Sequence, residues 1–320
     1  MKSKRILVTG GAGFIGSHLV DELIQRSYEV VVIDNLSTGK RENVNPEARL
    51  YEVDIGSPRI LEIFQNEKPQ ILFHLAARTS VRKSITDPIG NAKVNILSSL
   101  NLIESFIKVN SSISDCKFIF SSTGGAIYGD ADVIPTPEDH PEIPLSPYGV
   151  SKLSFEKYLN YYHEMFRLPF VSLRYANVYG PRQKEGVIPV FCNQILGKEK
   201  VTINGDGKQT RDFVFVKDVV EANMVAMEKE GSGIFNISTG KETDVNTVFS
   251  KIKNLMNSKC KAVYNPLKHK EQLRSCLDNK KAQNGLKWAP KYDFNRGLEK
   301  TVRWFEENYN TNSLKDFNGR

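Results

Sequence analysis

Residues 146–152 read SPYGVSK and place a phenol, Tyr148, four positions before an ammonium, Lys152. On one helix face, that positive charge would stabilise the phenolate and lower the tyrosine pKa toward neutrality, which makes an acid–base pair. Spacing alone does not single the pair out, because the chain has 12 tyrosines and Tyr264 to Lys268 repeats the pattern. Pro266 follows the second tyrosine and bars the regular helix that would bring Lys268 onto its face. Pro147, by contrast, stands where a first helical residue tolerates it. Tyr148, Lys152 and Phe155 then recur at helical spacing along a segment running to Arg167. A hydroxyl at the end of a central strand is the expected third member. KFIFSSTGGAIYG supplies Ser121, Ser122 and Thr123, of which Thr123 is the first candidate and Ser122 the second. The plainer reading of either is a strand-end turn residue.

A second group of residues could hold the partner of such chemistry. VTGGAGFIGSHL sets Gly10, Gly13 and Gly16 directly after a strand pattern and at the opening of a helix pattern. Glycines there allow a tight turn, close approach of backbone to a pyrophosphate, and helix–sheet packing. Asp34, in VVVIDN roughly twenty residues on, closes the second strand, where a carboxylate accepts from both hydroxyls of an adenine ribose and repels a 2′-phosphate. NAD is therefore expected rather than NADP, with Lys40 and Arg41 the nearby cations that argue the other way. Lys152 would also reach the nicotinamide ribose.

The elements that must position these groups follow from hydrophobic pattern. RILVTG, VVVID, RLYEVD, ILFHLAA and KFIFSS are short, continuous apolar runs, as strands buried on both faces of a parallel sheet require. Helical patterns lie between them at 14–26, 59–66 and 87–109, and the 147–167 segment follows. The alternation predicts an α/β fold with a doubly wound, Rossmann-type parallel sheet. Beyond Pro181 short apolar pieces and turn signals such as NGDGKQ suggest a smaller lobe. The expected division is a nucleotide-binding domain at 1–180, with 212–240 (DFVFV, a helix, IFNIS) returning to it. The substrate-binding lobe takes 181–211 and 241–310, with a helix at 295–308, and 311–320 forms a disordered tail.

Bulk properties narrow the class. In 320 residues, 40% are hydrophobic and 25% charged, as in an ordinary soluble globular chain. No run approaches a membrane span, and the start resembles no signal peptide. Cys116, Cys192, Cys260 and Cys276 lie far apart without zinc-like spacing, so neither a disulfide framework nor a metal site is expected, and a reducing cytoplasm fits. The net charge of +7 comes from dispersed lysines without an aromatic-interleaved stripe, so the expected partner is an anionic small molecule rather than nucleic acid.

TGGAGFIG, DNLSTG, HLAA, SSTGGAIYG, SPYGVSK, LRYANVYGPRQ, GDGKQTRDFVFVKDV and FNISTG, in this order, resemble the extended short-chain dehydrogenase/reductase family of NAD-dependent epimerases and dehydratases. The resemblance is nearest to its UDP-glucose-type nucleotide-sugar 4-epimerases and extends to about residue 308. It implies a tightly held NAD, a UDP-sugar substrate, and a homodimer formed through the helices at 90–109 and 147–167. By position, Gly10, Gly13, Phe14 and Ile15 would meet the pyrophosphate. Asp34, Asn35, Ser37 and Thr38 would take the adenosine end, Asp54 and Ile55 would flank the adenine, and Leu75, Ala76 and Ala77 would line the path to the nicotinamide. Asn177 would contact the sugar nucleotide and Arg211 its diphosphate, against the plainer reading of Arg211 as an ion-pair partner of Asp212.

The implied reaction takes the sugar through a 4-keto form that turns and is reduced on its other face. The acids that dehydratases and decarboxylases of the family carry after the hydroxyl are replaced by Gly124, Gly125 and Ala126. Two departures stand out. The hydroxyl loop is one residue longer than in the best-known members. The family's Arg-x-Gly-Asp is replaced by His269-Lys270-Glu271-Gln272, for which Lys268, Lys270 or Arg274 would substitute. Cys276 falls where members differ in bulk; a cysteine would leave room beside the sugar C2 substituent, so UDP-GlcNAc and UDP-GalNAc are expected alongside UDP-glucose and UDP-galactose. The alternatives are a UDP-glucuronate 4-epimerase or other nucleotide-sugar oxidoreductase of the fold, and a non-catalytic NAD(P)-sensing protein.

Overall fold

The computed structural model describes residues 5–266 and 272–312. The chain runs β1 (Arg5–Thr9), α1 (Phe14–Gln25), β2 (Glu29–Asp34), β3 (Arg49–Glu52), α2 (Arg59–Glu67) and β4 (Ile71–His74). Then come α3 (Val81–Thr86), α4 (Pro88–Ala92), a π-helical segment (Lys93–Ser98), α5 (Ser99–Val109), β5 (Lys117–Thr123), α6 (Gly124–Ile127) and α7 (Pro147–Phe166). The second half holds β6 (Phe170–Tyr175), β7 (Asn177–Tyr179), α8 (Val187–Leu196), β8 (Val201–Asn204), β9 (Thr210–Phe215) and α9 (Val216–Glu228). It ends with β10 (Gly233–Ile237), β11 (Glu242–Asp244), α10 (Val245–Leu255), β12 (Ala262–Asn265) and α11 (Phe294–Asn312).

Seven strands form one all-parallel sheet in the order β3-β2-β1-β4-β5-β6-β10. The continuous apolar runs have the expected cause. On β1, Ile6 and Val8 pack toward α1 and α9, while Leu7 between them packs toward α2, α5 and α7. Strand order reverses between β1 and β4, and the crevice beyond their carboxyl ends is where ligands bind in such sheets. A second core forms around α8, α10 and α11. It is backed by a three-stranded sheet (β11-β9-β7) and a two-stranded one (β12-β8).

Three details differ from expectation. The 212–216 strand does not rejoin the main sheet: both edges of β6 are taken, by β5 and β10, so β9 pairs with β7 and β11. The single helix expected at 87–109 is broken by the π-helical segment, whose wider turn carries Asn95 inward. There Asn95 Nδ2 donates to Ser151 Oγ of α7 (3.0 Å) and to the carbonyl of Arg78 (3.0 Å). Helix α11 continues to Asn312, into the stretch read as tail; residues 313–320, and the 267–271 stretch with Lys268 and Lys270, lie outside the described residues. Among the described residues no helix is long and apolar enough to cross a membrane.

Candidate active site

The glycine turn after β1 leaves no room for side chains on its inner side. Gly10 is in the left-handed region (φ +72°), and a Cβ there would lie 2.8 Å from the backbone nitrogen of Ala76, across the strand-order reversal. A Cβ on Gly16 would come within 2.1 Å of the Gly10 carbonyl oxygen, so α1 rests directly on the turn. No side chain caps α1 at Gly13, and its first turn carries no acid. The amino terminus of α1, at Phe14 and Ile15, is thus a backbone cradle open to an anion, which fits a pyrophosphate.

At the end of β2, Asp34 is buried, with Oδ2 accepting from the Ala12 amide (3.0 Å) and Oδ1 from that of Leu36 (2.8 Å). Each oxygen keeps lone-pair capacity for a ribose hydroxyl. Asn35 donates to Asp54 (2.8 Å) and its side-chain oxygen accepts from the Ser37 amide, while Ile55 is buried beside them. The Thr38 carbonyl accepts from Lys184 (2.9 Å). Arg41, a cation that favoured NADP, is paired with Glu52 at the end of β3. Leu75, Ala76 and Ala77 are half-buried after β4. Thr9 Oγ1 accepts from the Ala76 amide and bonds Nδ1 of His74 at 2.8 Å. The residues fit an NAD along this edge.

Ser146 caps α7, its hydroxyl accepting from the Gly149 amide, and Pro147 occupies the first turn. Tyr148 and Lys152 therefore stand one turn apart on one face. The Tyr148 hydroxyl stands near the side chain of Thr123 at the end of β5, whose pull acts against the burial of the phenol. Ser122 lies next to it in sequence, its hydroxyl buried without a protein partner, while Ser121 bonds the Tyr175 hydroxyl (3.1 Å). Lys152 is 3% exposed. Its ammonium donates to the Ser121 carbonyl (2.7 Å) and lies 4.6 Å from the centre of the Phe120 ring.

The expected lowering of the Tyr148 pKa is not present in the protein itself. Burial pushes it up to about 12, against a smaller pull from Thr123. Burial also brings Lys152 down to about 7, opposed by the nearby Glu156 carboxylate. His74 is buried between Thr9 and Ser99, and both burial and Lys152 hold it well below its ordinary range, so its ring is neutral.

On the other side of the crevice, Asn177 is exposed at the start of β7. Arg211 of β9 is half-buried and donates to the Thr210 carbonyl at 2.7 Å. Its neighbour Asp212 points to the opposite side of the strand and is 1% exposed. There the Asp212 carboxylate accepts from Thr239 (amide and hydroxyl), the Gly240 amide and the Cys276 thiol, so it is committed to the core rather than to Arg211.

Arg274 is exposed and pairs with Glu242 (Nε to Oε1, 3.0 Å). Cys276, expected beside the sugar, is buried with Sγ 3.5 Å from Asp212 Oδ2. Its segment is extended, so side chains alternate. A Cβ on Gly124 or Gly125 would meet Leu277 (2.3 Å) or Ser275 (3.1 Å) respectively, which places those two beside the hydroxyl loop and turns Cys276 away. The steric argument from Cys276 for an N-acetyl substituent therefore loses its premise.

Three buried residues around Lys152 escaped the sequence reading: His74, Glu156 and Arg174. Glu156 was findable, because it extends the stripe Tyr148–Lys152 by one more helical turn.

A family model described as "NAD dependent epimerase/dehydratase family" matches residues 6–238. A protein of Methanocaldococcus jannaschii named putative UDP-glucose 4-epimerase is 41% identical over 310 residues, covering 96% of this chain and all of that one. The crystal structure of UDP-glucose 4-epimerase from Thermotoga maritima with UDP-glucose superposes with a TM-score of 0.92 at 47% identity, over 95% of this chain and 99% of that one. A Thermus thermophilus UDP-glucose 4-epimerase in complex with NAD gives a TM-score of 0.89 at 38% identity, over 94% and 99%.

Proposed function

The chain belongs to the NAD dependent epimerase/dehydratase family, and within it we propose that it is a UDP-hexose 4-epimerase acting through a 4-keto sugar. The observation that carries this reading is Tyr148 at the start of α7, near Thr123 at the end of β5 and one helical turn from the buried Lys152. NAD, when bound, supplies a reversible acceptor for the hydride at sugar C4. Thr123 holds the 4-hydroxyl oxygen, and Tyr148 takes its proton and later returns one. Lys152 contributes positive charge beside the phenol and reaches the nicotinamide ribose. Arg211 grips the diphosphate, since a guanidinium matches phosphate oxygens in pairs. Arg274 adds a second guanidinium on the adjoining segment, with Glu242 as its resting partner, and Asn177 contacts the sugar nucleotide. Firm anchoring of the diphosphate with a loosely held hexose lets the flat ketone turn and present its other face.

In this reading residues 1–180, together with α9 and β10, hold the nucleotide cofactor, and the lobe built from 181–211 and 241–310 holds the substrate. The protein pairs as a homodimer through α7 and the 81–109 helices. Val150, Tyr161 and Met165 form an exposed stripe there beside Ile85, Ile89 and Leu97, with Ile89 82% exposed. All four thiols stay free, which suits a reducing, cytoplasmic setting.

The test incubates the purified protein separately with UDP-galactose, UDP-GalNAc and UDP-galacturonate and resolves products by NMR. A gluco epimer from UDP-galactose supports the proposal, and the relative rates on the other two name the preferred sugar. No conversion of any of them, even with NAD added, refutes it.

A further inference from the structure

Beneath the acid–base helix lies a buried ionic cluster with no part in the mechanism above. Glu156 of α7 is 0% exposed and Arg174 of β6 is 1% exposed. Glu156 Oε1 accepts from the Ser172 hydroxyl (2.8 Å), and the carboxylate takes three bonds from Arg174, Nε to Oε1 at 3.1 Å and to Oε2 at 3.2 Å, and Nη2 to Oε2 at 2.6 Å. Arg174 Nη1 donates to the Tyr128 hydroxyl (2.8 Å), and Tyr128 in turn donates to Asn236 of β10 (3.0 Å). Arg174 also meets Glu142, which Lys157 shares.

Removing a carboxylate, a guanidinium and an ammonium from water is costly, and such a pair is not needed for stability where apolar side chains of similar size would serve. Its position gives it another use. Tyr148, Lys152 and Glu156 occupy successive turns of one helix face. The titratable and charged groups around the Lys152 ammonium are Tyr148 and Glu156 on α7, His74 at the end of β4 and, behind Glu156, Arg174 on β6. His74 is neutral, so Glu156 supplies the negative charge. At its far end the cluster reaches Tyr128, just past the loop that presents Thr123.

We infer that Glu156, oriented by Arg174, is a positioning residue that favours the charged form of the buried Lys152 while tying the helix of Tyr148 to the loop of Thr123. The inference rests on the acid–base roles proposed above, but its test reads Lys152 without turnover.

Protein carrying 13C-labelled lysine, saturated with NAD, is titrated by NMR, with the Lys152 signal assigned by its loss in Lys152→Met. In Glu156→Gln the Lys152 midpoint falls by about one unit, a tenfold loss of proton affinity, and the alkaline limb of kcat/KM moves down with it. A purely structural role would lower activity at every pH and leave both midpoints in place. Glu156→Gln takes from Arg174 its fully buried carboxylate, leaving it Glu142 as an ionic partner, and will unfold at lower urea. Glu156→Gln/Arg174→Met removes both charges, recovers that loss, and still shows a lowered Lys152 midpoint. Glu156→Asp restores it toward wild type. An unchanged Lys152 midpoint in the double variant overturns the inference, as does failure of the double variant to fold, since the pair would then serve the core itself. Absence of epimerase activity with a lowered midpoint would refute the proposed reaction and leave the electrostatic link standing.

Discussion

Replacing Lys152 by methionine should abolish catalysis and yet make the nucleotide-free chain more stable, by an amount that depends on pH. The ammonium is 3% exposed, and its pKa is about 7 in the folded chain against 10.5 for an ordinary lysine. Between those values the unfolded chain binds the extra proton and the folded chain does not. The native lysine therefore favours folding progressively as pH rises, by about 1.4 kcal/mol per unit where the difference in proton uptake is complete. Below pH 7 the lysine is charged in both states and the full burial penalty applies. Methionine fills much of the same space and carries no proton. Its loss is the hydrogen bond to the Ser121 carbonyl, worth roughly 1–2 kcal/mol. The variant should thus exceed wild type by a few kcal/mol, to order of magnitude, near pH 6–7. The advantage should shrink by of order 1 kcal/mol per unit on the alkaline side. Urea unfolding of both proteins from pH about 6 to about 9.5 measures it. An advantage that stays flat with pH, or grows as pH rises, refutes the claim that a charge is buried at Lys152.

Tyr148→Phe should lower kcat by a factor on the order of 10²–10⁴ while NAD stays bound, checked by steady-state rates and by nucleotide released on heating. Thr123→Ala removes the hydroxyl proposed to hold the sugar 4-oxygen beside Tyr148 and should cost roughly tenfold in kcat/KM; an unaffected rate would point to Ser122 instead. Gly16→Ala puts a methyl 2.1 Å from the Gly10 oxygen, so the turn must open; roughly 1–3 kcal/mol of stability and most retained NAD should be lost, read by urea midpoint and nucleotide content. Arg211→Met should raise KM for the UDP-sugar by roughly tenfold or more and leave NAD content unchanged, as expected of a group that binds the substrate diphosphate rather than the cofactor.

What was legible in the chain was local. The glycine turn, Asp34 and the helix from Pro147 each announce themselves within a few residues, because turn chemistry, strand ends and helix starts are short-range effects. The parallel sheet followed from strands apolar on both faces. Direction across a tertiary contact was not legible. Cys276 was placed beside the sugar because its position in the chain suggested it, but which of 275, 276 and 277 faces the hydroxyl loop depends on how that extended segment lies against Asp212 and Thr136. Arg174 could be noticed as a charge inside the apolar run FVSLRY, yet nothing near it names Glu156 as its partner. The pKa of Tyr148 likewise depends on burial, and burial is a property of the folded crevice.

The late arrival of β10 has a consequence for synthesis. The main sheet gains its seventh strand only when residue 237 has been made, after β7, β8 and β9 have already emerged. Those three strands wait in turn for β11, β12 and α11 before their own core can close. The first 180 residues thus leave the ribosome with the outer edge of β6 unpaired, an open template for a neighbouring nascent chain until β10 covers it. A stop codon between β6 and β10 would expose that same edge permanently. The interleaving of the chain makes the two parts of the molecule obligate companions in folding.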